Sequence, residues 1–146
     1  MNTPIQLDIV TTRDFEHPRE RVFNAFADAT QLARWWGPAG FTNTITEFEL
    51  KPGGRWRVVM HSPDGQDYPN ESEFLEVAIP ERIVFQHLEA VHRFQMRMDF
   101  AEHAGRTRLT WRMRFDSAEE FARVQAFVTA ANEQNMDRLA AHLARS

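Results

Sequence analysis

Phe94-Gln95-Met96-Arg97-Met98-Asp99-Phe100, a turn at Gly105 and Arg108-Leu109-Thr110-Trp111-Arg112-Met113-Arg114-Phe115 alternate apolar and polar side chains with a period of two. Phe94, Met96, Met98 and Phe100 share one face, and Leu109, Trp111, Met113 and Phe115 share the matching face of the second run. That spacing predicts an antiparallel hairpin with one buried and one wet side. The period then changes. Ser117-Ala118-Glu119-Glu120 is a capping box, with serine at the N-cap and glutamate three residues on. Phe121, Val124, Val128, Ala131, Leu139 and Leu143 follow at three- and four-residue intervals, which predicts one long amphipathic helix running almost to the end.

Upstream of the hairpin, Ile5, Leu7 and Ile9 alternate as in a strand. Pro18 opens a helix, where its missing N–H costs nothing, with Val22, Phe23 and Phe26 as its apolar stripe through about Asp28. Thr30 is the expected cap of a second short helix over residues 31–36, which Gly37-Pro38 must stop. Strand patterns follow at residues 42–50, 55–62, 73–77 and 83–88, with Trp56, Val58 and Met60 on one face of the second. Turns at Lys51-Pro52-Gly53-Gly54, Pro63-Asp64-Gly65 and Pro80-Glu81 separate them. The expected fold is therefore α+β, as one domain over residues 1–146. Six to seven antiparallel strands form a curved sheet around a long C-terminal helix, with two short helices after the first strand. One helix across so wide a sheet does not fill the concavity, and the remainder becomes a pocket.

Composition narrows the function classes. The chain has 146 residues, no cysteine and a net charge of −4, so disulfides, thiolate metal sites and a dedicated nucleic-acid surface are not expected. No apolar run approaches the roughly 18 residues of a membrane span. The start lacks a basic and then apolar leader, so the cytoplasm is the expected location. Aromatic residues make up 12% of the chain, twelve of them Phe and four Trp, which supplies large apolar surfaces to fill or to line an interior. A homodimer is the expected assembly on general grounds, and nothing in the sequence marks its interface.

Several motifs carry a resemblance. Arg13-Asp14-Phe15 and Pro18-Arg19-Glu20-Arg21-Val22-Phe23-Asn24-Ala25-Phe26 resemble the opening of the helix-grip, START-like (SRPBCC) domains related to steroidogenic lipid-transfer and birch-pollen-allergen proteins. Trp35-Trp36-Gly37-Pro38, Pro52-Gly53-Gly54-Arg55-Trp56, Pro63-Asp64-Gly65 and Pro80-Glu81-Arg82-Ile83-Val84-Phe85 narrow this to the branch homologous to the activator of the heat-shock-protein-90 ATPase. The resemblance covers residues 5–143 and implies a seven-stranded sheet gripping the C-terminal helix. Two positions depart from the family pattern. Glu71-Ser72 and Asn135-Met136 stand where relatives often carry glycine, and larger side chains there are expected to shrink or reshape the cavity.

The candidate ligand-binding residues are Trp36, Trp56, Met60, His87, Met96, Met98, Trp111 and Met113. Aromatic and thioether side chains supply apolar area, and flexible methionines suit a surface that adapts to its guest. Such stripes are more often plain core. Of the paired indoles, one is expected to pack on the sheet and the other to close the pocket mouth. His87, two residues after Phe85, points inward from its strand, and with Tyr68 or an indole N–H could orient a guest. The six histidines show no metal spacing, no cofactor motif occurs, and no nucleophile elbow surrounds Ser72. Any acid or base would be His87, Glu76 or Asp99, and no catalytic residue is assigned. Arg93, Arg97, Arg108, Arg112 and Arg114 fall on the outer hairpin face, where they pair with carboxylates such as Asp99 or attract an acidic partner. Binding of a small apolar or aromatic ligand leads. A chaperone-ATPase interaction module and a cyclase- or hydrolase-type enzyme, which distant relatives suggest by analogy, are the alternatives.

Overall fold

A computed structural model describes residues 7–89 and 93–145. Ile5 of the first strand pattern and His92 lie outside that range. The elements are β1 (Asp8–Phe15), α1 (Arg19–Ala27), α2 (Ala29–Trp35), β2 (Thr42–Phe48), β3 (Arg55–His61), β4 (Asp67–Ala78), β5 (Arg82–His87), β6 (Phe94–His103), β7 (Arg106–Phe115) and α3 (Ala118–Arg145). All seven strands form one antiparallel sheet in the order β1-β7-β6-β5-β4-β3-β2. Strands β2 to β7 are thus a simple meander, and β1 closes the far edge beside β7. This is the helix-grip arrangement that the motifs imply, with the curved sheet left unclosed.

Register builds the core. Phe74 faces Phe85, Phe85 faces Met96, Met96 faces Met113 and Met113 faces Ile9, so one row of inward side chains crosses five strands. Ile83, Met98, Trp111 and Thr11 make the next row. Phe26 of α1 packs on the β3–β5 end of this surface, with its ring 5.4 Å from Trp56 and 6.5 Å from Phe85.

Three boundaries differ from the sequence pattern, each for a local reason. α2 starts at Ala29 because the Asp28 carboxylate, rather than the Thr30 hydroxyl, caps it by accepting the Thr30 N–H at 3.0 Å. β4 starts at Asp67, because β3 templates the polar residues ahead of Glu73 through pairs running from His61↔Asp67 to Arg55↔Glu73. A bulge between Phe74 and Glu76 then turns Leu75 outward, which breaks the alternation in sequence. β1 continues to Phe15, because β7 supplies a partner for every residue of it.

α3 is not held evenly. Its second half buries Met136, Leu139 and Leu143, whereas Phe121, Val124 and Val128 in its first half are only partly covered. The anchor of the second half is Arg138. Its Nη1 donates to the carbonyls of Trp36 (2.8 Å), Gly37 (3.1 Å) and Pro38 (3.0 Å), and its Nη2 to those of Arg34 (3.2 Å) and Phe41 (2.9 Å). Burial pulls the Arg138 guanidinium below its ordinary value, and no carboxylate offsets that desolvation among the described residues.

The outer arginines are paired. Arg112 and Arg114 share Asp8, Arg108 takes Asp14, Arg97 takes Asp99 and Arg93 takes Asp116. The hydrogen bond from Arg114 holds the Asp8 carboxyl below the usual carboxylate range, and Arg108 does the same for Asp14. Burial alone would raise Asp99, but hydrogen bonds from Arg97 and Arg82 bring it down.

Two outcomes follow from this packing. Arg138→Met, which removes the fork from five carbonyls, of which Trp36 and Pro38 keep donors in Asn43 and the Phe41 N–H, should cost about 2–3 kcal/mol in urea unfolding, with Arg138→Lys restoring only part. Carboxyls depressed in the folded state stabilise it above their unfolded-state range and lose that contribution as pH falls. Melting temperature should therefore hold between pH 7 and about 5 and drop steeply below about 4. Asp8→Asn should lower the neutral-pH value and flatten the acid decline.

Candidate functional site

The end of α2 sets the two indoles apart. Trp35, still helical, donates its Nε1–H to the Ala25 carbonyl at 2.8 Å and stacks on Trp111, so it is fixed core. Trp36 follows in extended conformation, and Gly37 turns the chain at φ +97°. The angle demands glycine there, whereas a Cβ at Gly37 would press mainly on the flexible end of Met60, Cε at 2.8 Å, which can move aside. Asn43 Nδ2 donates to the Ala33 and Trp36 carbonyls and, with Arg138, locks the turn. The Trp36 ring consequently sits 5.0 Å from Trp56 and 5.5 Å from Trp111.

Beneath the loosely held first half of α3 lies a cavity of about 300 Å³. Of the eight candidate residues, Trp36, Trp56, Met60, His87, Met96, Trp111 and Met113 line it. Met98 is not among the lining residues. It is fully buried two positions further along β6, toward Phe100, whose ring meets Phe23 of α1 at 5.1 Å. Tyr68 does not reach the cavity either, because it is half exposed and its ring lies 6.2 Å from that of Phe41. Glu76 and Asp99 both pair with Arg82 outside the cavity.

His87 is held rigidly. Its ring stacks on Phe94 with centroids 4.7 Å apart. Its Nε2 lies 2.7 Å from Asn70 Oδ1, while Asn70 Nδ2 donates to the Tyr68 carbonyl. With the amide so oriented, Oδ1 is the acceptor and the hydrogen sits on Nε2. The Ser72 hydroxyl also lines the cavity and makes no hydrogen bond with any described residue.

The sequence reading missed the polar residues contributed by the helix. Glu120 and Asn132 line the cavity beside Val124, Val128 and Ala131, as does Asn135, which the sequence marks only as a departure expected to reshape it. The signal was present, since asparagines at three-residue spacing interrupt an otherwise apolar stripe. The departures Ser72 and Asn135 both line the cavity, which remains open with these larger side chains in place. Among the described residues no group of three or more His, Cys, Asp or Glu side chains could hold a metal ion.

One further constellation lies outside the cavity. His61 bridges Thr44 Oγ1 (2.8 Å from Nε2) and Asp67 (2.7 Å from Nδ1) across three strands. None of the three lines the cavity, and the Asp67 side chain is 65% exposed. The geometry is that of cross-strand pairing tying edge strand β2 to β3 and β4.

Comparison with known proteins agrees with this architecture. No curated protein matches the chain. Among solved structures, protein NE0264 from Nitrosomonas europaea is 21% identical over 98% of this chain and 99% of its own, with a TM-score of 0.86. Protein Ms6760 from Mycobacterium smegmatis is 27% identical over 96% of this chain and 92% of its own, at 0.84. The AHSA1 protein from Silicibacter pomeroyi is 23% identical over 94% of this chain and 97% of its own, at 0.76. Among the described residues no helix is long and apolar enough to cross a membrane. The family model for activator of Hsp90 ATPase homolog 1-like proteins matches residues 16–144, from the end of β1 through nearly all of α3. The chain belongs to that family.

Proposed function

We propose that the protein binds a small hydrophobic or aromatic molecule between the sheet and the first half of α3. The carrying observation is the cavity itself, a partly open, mostly apolar space under a helix segment whose own apolar residues are incompletely covered. Its volume of about 300 Å³ sits at the lower end of small-molecule pockets. Met60, Met96 and Met113 give three flexible walls, and Trp36, Trp56 and Trp111 give rigid ones. Phe127, 74% exposed yet lining the cavity, marks the rim where a guest enters from solvent. A guest burying roughly 200 Å² of apolar surface gains about 5 kcal/mol, before the cost of immobilising it.

Binding rather than catalysis is the reading the residues support. His87 is committed to an amide oxygen, and among the described residues no base is hydrogen-bonded to the Ser72 hydroxyl. Docking on a chaperone ATPase through the arginine face draws no support from the geometry, since Arg93, Arg97, Arg108, Arg112 and Arg114 are each paired with an aspartate.

Methyl NMR of protein labelled at methionine checks the proposal. Naphthalene should shift the Met96 and Met113 methyls while Met98, outside the cavity, stays still. Ala131→Phe, which projects a ring from α3 into the space, should weaken binding at least tenfold without lowering the melting temperature. No methyl shift in the natural protein, or equal binding by the variant, would count against it.

A further inference from the structure

A second opening lies between the end of α2, the start of β2 and the last two turns of α3. It is a groove of about 490 Å³ lined by Arg34 of α2, Phe41 and Thr42 at the start of β2, and Arg138, His142 and Arg145 of α3. Positions 138, 142 and 145 share one helical face. Arg138 Nη2 donates to the Arg34 carbonyl at 3.2 Å and His142 Nε2 lies 3.0 Å from Gln31 Oε1, so that face is seated on α2. Among the described residues three guanidinium groups line the groove and no Asp or Glu does, in a chain whose net charge is −4. The arginines of the outer sheet face are each paired with an aspartate, whereas Arg34, Arg138 and Arg145 have no ion-pair partner among the described residues. His142 lies in the same field. Burial, then the charges of Arg21, Arg34 and Arg145, hold its imidazole below the ordinary value. Asp28, the carboxylate that opposes them, is engaged as the cap of α2 by Thr30 and Gln31 and does not line the groove.

We infer that this groove binds a phosphate monoester, a site separate from the apolar cavity. The roles of the three arginines differ. Arg138 is partly buried and its Nη atoms already serve five neutral carbonyls, so it contributes a fixed positive charge with no counter-ion rather than new hydrogen bonds. Arg34 and Arg145 are exposed, stand on different helices and keep their guanidinium forks for a ligand. A tetrahedral dianion accepts from both forks at once, and charge-assisted bonds of this kind are the strong ones. A monocarboxylate brings half the charge and fewer oxygens. A concave site lined by one sign of charge also concentrates anions around it. Phe41 and Ala141 give the organic part of the ester an apolar surface to lie on. The groove and the cavity share no lining residue, so the two readings stand or fall separately.

The test titrates the full chain with glycerol 3-phosphate and with acetate at constant ionic strength, following the arginine Nε–H signals by NMR. Glycerol 3-phosphate should shift those of Arg34 and Arg145 saturably, at least tenfold more tightly than acetate, while Arg97 and Arg108, paired on the outer sheet face, stay still. Arg34→Gln combined with Arg145→Gln should weaken the phosphate ester at least tenfold and leave the melting temperature unchanged, because both side chains are exposed. Arg145→Gln alone repeats the measurement should the double variant not fold. Naphthalene shifts at Met96 and Met113 should be the same in every variant. Cosedimentation with phosphatidic acid vesicles, lost in the double variant, assigns the phosphate to a lipid headgroup, and binding of the soluble ester without cosedimentation assigns it to a soluble molecule. No saturable shift, equal affinity for acetate, shifts spread evenly over the paired arginines, or undiminished binding by the variants overturns the phosphate site.

Discussion

The guanidinium of Arg138 sets the geometry on which the cavity depends. It reaches from α3 to five backbone carbonyls between Arg34 and Phe41, the stretch where α2 ends and the chain turns at Gly37. A turn that leaves a helix after two tryptophans exposes several carbonyls at once. A planar fork with five N–H donors can satisfy them from one side. Because the side chain comes from α3, the same bonds fix the long helix and the loop to each other. Trp36 is thereby placed over Trp56 and Trp111, and Trp35 is left to the core.

That anchorage is asymmetric along α3. From Glu133 onward the helix meets α1, α2 and β1, where Met136, Leu139 and Leu143 are buried, and Arg13 of β1 grips it through Glu133 and Asp137. Before Glu133 it spans strands that have curved away. A helix is straight over such lengths and a twisted sheet is not, so the two surfaces diverge. The space between them is what the aromatic and methionine side chains line. The opposite face of the sheet carries its charges in cross-strand pairs, so Asp8, Asp14 and Asp99 strengthen the ladder and the outer arginines are taken up.

Periodicity made the sheet, the meander and the terminal helix legible, because alternation in residues 94–115 and three-four spacing after Ser117 each admit one backbone geometry. It failed where a neighbour supplied the structure. The polar start of β4 becomes a strand only because β3 lies beside it. The inward direction of Trp56, Met96, Trp111 and Met113 followed from the same alternation, and those residues do line the cavity. Met98 obeys the identical pattern but lies further along β6, toward the part of the sheet that α1 covers.

The sequence alone therefore determined which side chains face inward, since strand and helix periods are properties of the local backbone. Only the tertiary structure decided which inward residues border empty space, because that depends on where the straight helix and the curved sheet part. It also decided that Trp56, Trp111 and Asn135, residues separated by up to 79 positions (135 − 56), would line one cavity.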